Sequence, residues 1–341
     1  MATERRALVV GGSGYLGQHL VDVLPRVHGW TCHYTYRDNA LPADPSRVGH
    51  RADAVTGEGM REAVRAALGL GADRSPTASA SAPRALLVVN CAATSSPAAC
   101  ERDPASALAT NVPTALLDAL DAAWSAGELG TSRPLLVHLS TDQVYGGDGA
   151  MSVEATHPPR PVNAYARSKT RAEEVIRERW PEHVILRSSI ITGADAPVRP
   201  VNRPLFLDFI LGALRGDRPV TFFRDEWRCP VAAVDIAAHV VALASSPRWS
   251  DASAVSDKNR TFNMGGPDRV SRVDMARITA RVFGLSDANV VEAASASVER
   301  PAPSPADISM DSNALERETG VRAMTFEAQA RAAKETMDAV A

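Results

Sequence analysis

No apolar run in this chain approaches the roughly 18–20 residues that a membrane span requires, so no transmembrane helix is expected. Neither sign of charge dominates. There are 37 lysines and arginines against 40 aspartates and glutamates, a formal net charge of −3, and the sequence pI is about 6.3. That balance removes any global electrostatic case for nucleic acid or an anionic membrane as a partner. Cysteine is scarce and scattered, at Cys32, Cys91, Cys100 and Cys229, without the paired spacing of a metal site. Reduced thiols in a cytoplasmic protein are the simplest account. The histidines, among them His19, His28 and His33, show no ligand spacing, so no metal is expected. Met1-Ala2-Thr3-Glu4-Arg5-Arg6 runs straight into an apolar stretch, which leaves no room for a secretory or transit segment.

That apolar stretch is where the sequence becomes informative. Ala7-Leu8-Val9-Val10 reads as a buried strand, Gly11-Gly12-Ser13-Gly14 as a turn, and Tyr15-Leu16-Gly17 onward as a helix with apolar Leu20, Val21 and Leu24. Gly12-x-Gly14-x-x-Gly17 fits the dinucleotide fingerprint, and Gly11, Gly14 and Gly17 recur every third residue. In that pattern one glycine makes the tight turn, one lets backbone approach a pyrophosphate, and one lets helix and strand pack closely. The N–H groups at the helix start then face phosphate. Trp30 to Tyr36 reads as a second strand that ends at Arg37-Asp38, about 20 residues on, where the adenosine ribose is met. With Arg37 first, NADP(H) is favoured over NAD(H).

The 341 residues, 45% of them hydrophobic, suffice for one large or two modest domains. Val48 to Ala54 reads as a third strand whose end, Asp53-Ala54, is placed to meet an adenine edge. Gly59 to Leu70 has helical spacing, and Gly71 to Pro83 reads as a loop insertion. Ala85 to Asn90 is a fourth, continuously apolar strand. Its exit, Cys91-Ala92-Ala93-Thr94, is small enough for a cofactor to lie against. Cys91 reads as a packing residue, with no neighbouring base to activate it. Asp103 to Ala126 is expected to be one helix, kinked at Pro113. Leu135 to Leu139 and Val184 to Arg187 read as the fifth and sixth strands, with a helix from Asn163-Ala164-Tyr165 to about Trp180 between them. This alternation predicts an α/β fold, a Rossmann-type doubly wound parallel sheet over residues 1–193. Residues 194–341 predict a smaller mixed α/β substrate lobe. Ala232 to Leu243 (helix) and Thr261 to Met264 (strand) are expected to return to the main sheet.

Chemistry collects at the carboxyl edge of that sheet. Tyr165 and Lys169 lie at i and i+4, on one helix face. A phenol of pKa about 10 is a poor acid or base at neutral pH, and a neighbouring ammonium favours its phenolate. Thr141, at the fifth strand's exit, can hydrogen-bond the same carbonyl oxygen. Further on, Asp225-Glu226-Trp227-Arg228 reads as a substrate loop, and the Arg228 guanidinium suits a pyrophosphate. Glu101 reads as a solvated carboxylate at a helix start.

With these residues in place the chain resembles the extended short-chain dehydrogenase/reductases. Within them it is most similar to the dTDP-4-dehydrorhamnose reductase group, which includes the regulatory beta subunit of methionine adenosyltransferase. The carriers are Gly11 to Gly17, Asn90-Cys91-Ala92-Ala93 with Glu101 and Asn111, Ser140-Thr141-Asp142-Gln143-Val144-Tyr145-Gly146, Tyr165 to Lys169, Leu186-Arg187-Ser188, and Arg300-Pro301 before Met310-Asp311. The resemblance implies a Thr141–Tyr165–Lys169 triad, Asn111 supporting a water relay to Lys169, and Tyr165 giving a proton to a sugar ketone. It also implies cofactor contacts from Gly11, Ser13, Gly14, Tyr15, Leu16, Gly17, Cys91, Ala92, Ala93, Tyr165, Lys169 (to the nicotinamide ribose) and Ser188, and substrate contacts from Thr94, Asn163, Arg228 and Arg300. The departures are Gln143 for an aromatic residue, Thr192 for a tyrosine and Ala302 for an asparagine. The expected activity is NADPH-dependent reduction of a 4-keto nucleotide-sugar or another small carbonyl compound. The alternative is an NADP-binding regulatory partner of the methionine adenosyltransferase catalytic subunit. Homodimerisation through helices around 105–126 and 168–180 is a family expectation.

Overall fold

In a computed structural model, residues 5–27, 29–70, 85–201, 204–246, 249 and 260–340 are described. The loop insertion expected over 71–83 lies outside them, as do the first four residues and His28. The chain opens with β1 (Arg5–Val10), α1 (Tyr15–Arg26), β2 (Thr31–Tyr36), β3 (Arg47–Arg51) and α2 (Met60–Ala67). Next come β4 (Ala85–Asn90), α3 (Pro97–Arg102), α4 (Pro104–Asn111), α5 (Thr114–Ser125), β5 (Leu135–Thr141), α6 (Ala164–Arg179) and β6 (His183–Ser188). Shorter pieces follow: β7 (Ile191–Thr192), α7 (Phe206–Arg215), β8 (Val220–Phe223), β9 (Trp227–Arg228), β10 (Val231–Ala232) and α8 (Ala233–Ser245). The chain then adds β11 (Thr261–Met264), β12 (Val270–Ser271), α9 (Arg272–Phe283), β13 (Val290–Ala293), α10 (Asn313–Thr319) and α11 (Phe326–Val340).

Seven strands form one sheet in the order β11-β6-β5-β4-β1-β2-β3, and every neighbouring pair in it is parallel. Alternate side chains leave opposite faces of a strand, and both faces are covered. Ala7, Val9, Leu87, Val89 and Val137 pack with Leu20 and Leu24 of α1 and Ile236 and Val240 of α8. Leu8, Val10, Val88 and Leu136 pack with Val64 of α2, Leu117 and Leu120 of α5 and Ile176 of α6. The strand order reverses between β1 and β4, and ligands of open α/β sheets bind at such a switch point, beyond the strands' carboxyl ends. α8 packs against α1 and β11 extends the sheet beside β6, so both segments lie in the main sheet's layers. A third apolar cluster, built from Ile210, Phe222, Val273, Ala276 and Phe326, joins α7, β8, α9 and α11.

Two expected elements are corrected. The stretch from Asp103 to Ala126 is two helices, α4 and α5. Pro113 cannot donate an N–H and pushes the residue before it out of the helical region; Val112 accordingly sits at φ −83°, ψ 117°. The third strand is also shorter than expected and ends at Arg51, which leaves Asp53 and Ala54 in the turn that follows.

Candidate active site

The glycine turn is closed by backbone contacts that no larger residue would permit. Gly11 has φ +75°, and its N–H donates to Thr35 Oγ1 at 2.9 Å, tying the turn to β2. A Cβ on Gly17 would stand 2.3 Å from the Gly11 carbonyl oxygen. Helix α1 then starts behind Gly14 with no side-chain cap. An uncapped helix N-terminus on a glycine cradle fits the pyrophosphate of a dinucleotide. Ala92 forms the facing wall, because a Cβ on Gly11 would meet its Cα and N at 2.9 Å. Ser13 is half-buried and Leu16 buried. Tyr15 turns its hydroxyl away, donating to the Ala194 carbonyl at 2.9 Å, so it anchors the chain beyond β7. Arg37 is exposed at the end of β2 and pairs with Asp38 at 2.9 Å. Asp53 Oδ1 accepts the N–H groups of Val55 and Thr56 at 2.7 and 2.9 Å, so its carboxylate shapes its own turn.

Across the switch point, α6 delivers Tyr165 and Lys169. Tyr165 is buried and packs with Cys100, Ala107 and Ala164. Lys169 is buried too and reaches onto β5, where its Nζ donates to the Leu139 carbonyl and lies 3.2 Å from His138 Nε2. Burial brings the Lys169 amine down to about 8, against the opposing pull of Glu173 and Cys91. Thr141 ends β5 two residues past Leu139, in register with Ser188 of β6. Its Oγ1 donates to Asp142 Oδ1 at 3.1 Å and accepts the Gln143 N–H at 3.2 Å. Burial pushes the Cys91 thiol up to about 12, the condition of a packing thiol. Asn111 is fully buried. Its side chain binds the Thr94 N–H and carbonyl at 2.7 and 3.2 Å and the Ser168 hydroxyl at 2.8 Å, stitching the β4 exit to α6.

The substrate-side residues are placed differently from the sequence reading. Arg228 is only 2% exposed, and its guanidinium donates to the carbonyls of Trp227, Ala306 and Pro305 at 2.7, 2.9 and 2.8 Å. Its Nη2 also donates to Ser304 Oγ at 3.2 Å, so the guanidinium braces β9 against residues 304–306. Asn163 is likewise occupied. Its Oδ1 caps α6 by accepting the Ala166 N–H at 2.8 Å, and its Nδ2 donates to Gln143 Oε1 and the Pro303 carbonyl at 2.9 and 3.0 Å. Glu101 is no solvated bystander either: it accepts the Ala164 N–H at 2.8 Å, a second cap on the helix that carries Tyr165. Arg300 donates to Glu226 and lies over the Phe223 ring at 4.7 Å. Arg272, which the sequence reading missed, joins the same carboxylate at 3.4 Å. Its guanidinium sits over Phe206 and helps hold down the pKa of the buried Asp142 beside Thr141, which burial nevertheless raises. Arg228, Arg272 and Arg300 all lie within 4 Å of Glu226, and Arg228 and Arg272 also act on Asp142, a local excess of positive charge. Among the described residues, no group of three or more His, Cys, Asp or Glu gathers as a metal site would need.

The family model described as the RmlD substrate binding domain matches residues 5–339. The chain belongs to this family. A probable dTDP-4,6-dihydroxy-2-methyloxan-3-one 4-ketoreductase of Streptomyces antibioticus is 27% identical over 301 residues, 88% of this chain and 85% of that protein. A dTDP-4-dehydrorhamnose reductase of Streptomyces griseus is 27% identical over 311 residues, 88% of this chain and 83% of that one. Among solved structures, the dTDP-4-dehydrorhamnose reductase of Bacillus anthracis in complex with NADP aligns at a TM-score of 0.72 and 16% identity, covering 98% of this chain and 99% of its own. At that identity the likeness is one of fold.

This RmlD-type chain also carries a buried network beneath the site. Glu173, fully buried on α6, holds Arg187 of β6 through two bonds of 3.0 and 2.7 Å and accepts the Ser140 hydroxyl at 2.6 Å. Arg187 donates on to the Tyr145 hydroxyl at 3.0 Å, which donates to Asn263 of β11 at 2.7 Å. Burial works against the Glu173 carboxylate, but Arg187 keeps it below the usual range. The available sequence signal was Glu173 four residues after Lys169, on the same helix face.

Proposed function

We propose that this chain is an NADPH-dependent reductase of a 4-keto nucleotide-sugar, of the dTDP-4-dehydrorhamnose reductase kind. The observation that carries the reading is Lys169 of α6 bonded to the Leu139 carbonyl of β5, two residues before Thr141 and one helical turn after Tyr165, together with a glycine turn suited to a dinucleotide. The ketoreductase names of the two Streptomyces relatives, each matched over more than four-fifths of its length, support it. Bound at the turn, a reduced nicotinamide dinucleotide supplies hydride to the ketone carbon. Tyr165 gives its phenolic proton to the carbonyl oxygen as that oxygen gains charge, so one hydride and one proton yield the alcohol. Thr141 Oγ1 exchanges its Asp142 acceptor for the same oxygen and fixes the ketone's orientation. Lys169, in its charged form, stabilises the phenolate left behind. Arg37 receives the adenosine 2′-phosphate, and the Arg272–Arg300 pair receives the diphosphate of the sugar nucleotide.

The test is NADPH consumption with dTDP-4-keto-6-deoxy-L-mannose, wild type against Tyr165→Phe. The expected result is wild-type turnover, a variant slower by about 10²–10⁴-fold, and equal NADPH binding by both. A fully active variant removes Tyr165 as the acid. Tight NADPH binding without turnover shifts the reading to a regulatory partner of methionine adenosyltransferase or to another carbonyl.

A further inference from the structure

A chain of buried groups behind Lys169 cannot accommodate its charge in the arrangement observed. Asn90 is 3% exposed, His138 fully buried and Lys169 2% exposed. The Ala92 N–H donates to Asn90 Oδ1 at 3.2 Å, which fixes the turn of that amide. Asn90 Nδ2 therefore faces His138 Nδ1, at 3.1 Å, as a donor. Burial holds His138 neutral, its pKa well below the ordinary histidine value, with Lys169 and His183 adding to the effect. A neutral imidazole carries one N–H, and here it belongs on Nε2, pointing at Lys169 Nζ 3.2 Å away. Nζ must then accept from Nε2 while donating to the Leu139 carbonyl, which only the neutral amine can do. A charged Lys169 would need Nε2 bare and the proton on Nδ1, against the NH2 of Asn90. Turning the Asn90 amide relieves that clash but sets its NH2 against the Ala92 N–H. Either mismatch leaves buried donors facing one another, which is costly.

We propose that Asn90 and His138 are positioning residues that couple the charge of Lys169 to the tautomer of His138 and to the turn of the Asn90 amide. Protonating Lys169 moves the imidazole proton from Nε2 to Nδ1 and turns Asn90, releasing the Ala92 N–H on the wall of the glycine turn. The other groups acting on Lys169 are Cys91 at the β4 exit and Glu173 on its own helix, and Glu173 is already held by Arg187; Tyr165 stands one turn earlier on the same helix. That the coupling serves proton delivery rests on the reductase reading; the coupling itself does not.

The chain has only three lysines, Lys169, Lys258 and Lys334, and eight histidines, so selective labelling gives few NMR signals. The experiment is a pH titration of the full, cofactor-free chain from about 6 to 10, following lysine side-chain carbons and histidine ring nitrogens, with His138→Gln to assign His138. Lys169 is expected to titrate near 8, with His138 changing from the Nδ1–H to the Nε2–H tautomer at the same midpoint while staying neutral. In Asn90→Ala the constraint on Nδ1 is gone, and the Lys169 midpoint rises by roughly one unit, about tenfold in the equilibrium. An ordinary lysine midpoint, a His138 tautomer that does not change, or an unmoved midpoint in Asn90→Ala overturns the proposal. No substrate or cofactor is present, so these results stand or fall apart from the reductase assay.

Discussion

Lys169 places an ionisable amine in the buried layer between α6 and β5, and this has a consequence for stability. Its amine falls from 10.5 to about 8 on folding, chiefly through burial. Between those values the unfolded chain binds more protons than the folded one, so stability rises with pH across that window. Wild type is expected to gain on Lys169→Met by up to about 3 kcal/mol between pH 8 and 10.5, read by denaturant titration; a constant difference contradicts it. Gly17 tests the cofactor cradle. A Cβ there meets Gly11 O and Gly12 Cα at 2.3 and 2.6 Å, both backbone atoms. Gly17→Ala is expected to weaken NADPH binding by about tenfold or more in a fluorescence titration, and unchanged affinity would show that the turn does not hold the cofactor. Gly17, Tyr165 and Lys169 were legible in the sequence because spacing alone puts them on a turn or a helix face. His138 was not, since its meaning lies in which atoms of Asn90 and Lys169 it meets across three elements.

Among the elements, α6 is secured at its start and at its middle. Asn163 and Glu101 cap its start, and Glu173 ties its middle to β6. Glu173→Gln leaves the buried Arg187 guanidinium without its carboxylate. The expected loss is about 3–5 kcal/mol in urea unfolding; a loss below about 1 kcal/mol would mean that Arg187 finds another partner. The element boundaries were mostly readable from apolar periodicity. Pro113 was read as a kink, whereas the extended Val112 makes it a break. The roles of Arg228 and Asn163 were not readable, because nothing local to either residue reveals the carbonyls of 303–306 folding back onto it.

For the whole molecule, the parallel strand order followed from the alternation of apolar runs with amphipathic helices. The residues beyond Ser188 interleave short pairs with elements of the main sheet, so local pattern carries less there. The interleaving buries His239 of α8 against Thr319 of α10, Nδ1 to Oγ1 at 2.9 Å. Burial drops both His239 and His183 to about 4. The unfolded chain takes up these protons first, so stability falls as pH drops from 6.5 toward 4. Melting temperature is expected to decline across that range and less steeply in His239→Gln; parallel curves for the two proteins would contradict it.

The proposed reaction delivers hydride to a sugar ketone at the carboxyl edge of this sheet. The most direct measurement mixes the protein with dTDP-4-keto-6-deoxy-L-mannose and NADPH deuterated at the transferable position, then weighs the nucleotide-sugar by mass spectrometry. The expected product carries one deuterium at the former ketone carbon, formed by wild type and about 10²–10⁴-fold more slowly by Tyr165→Phe. Recovery of the ketone unchanged and unlabelled, with NADPH bound, would contradict that reaction.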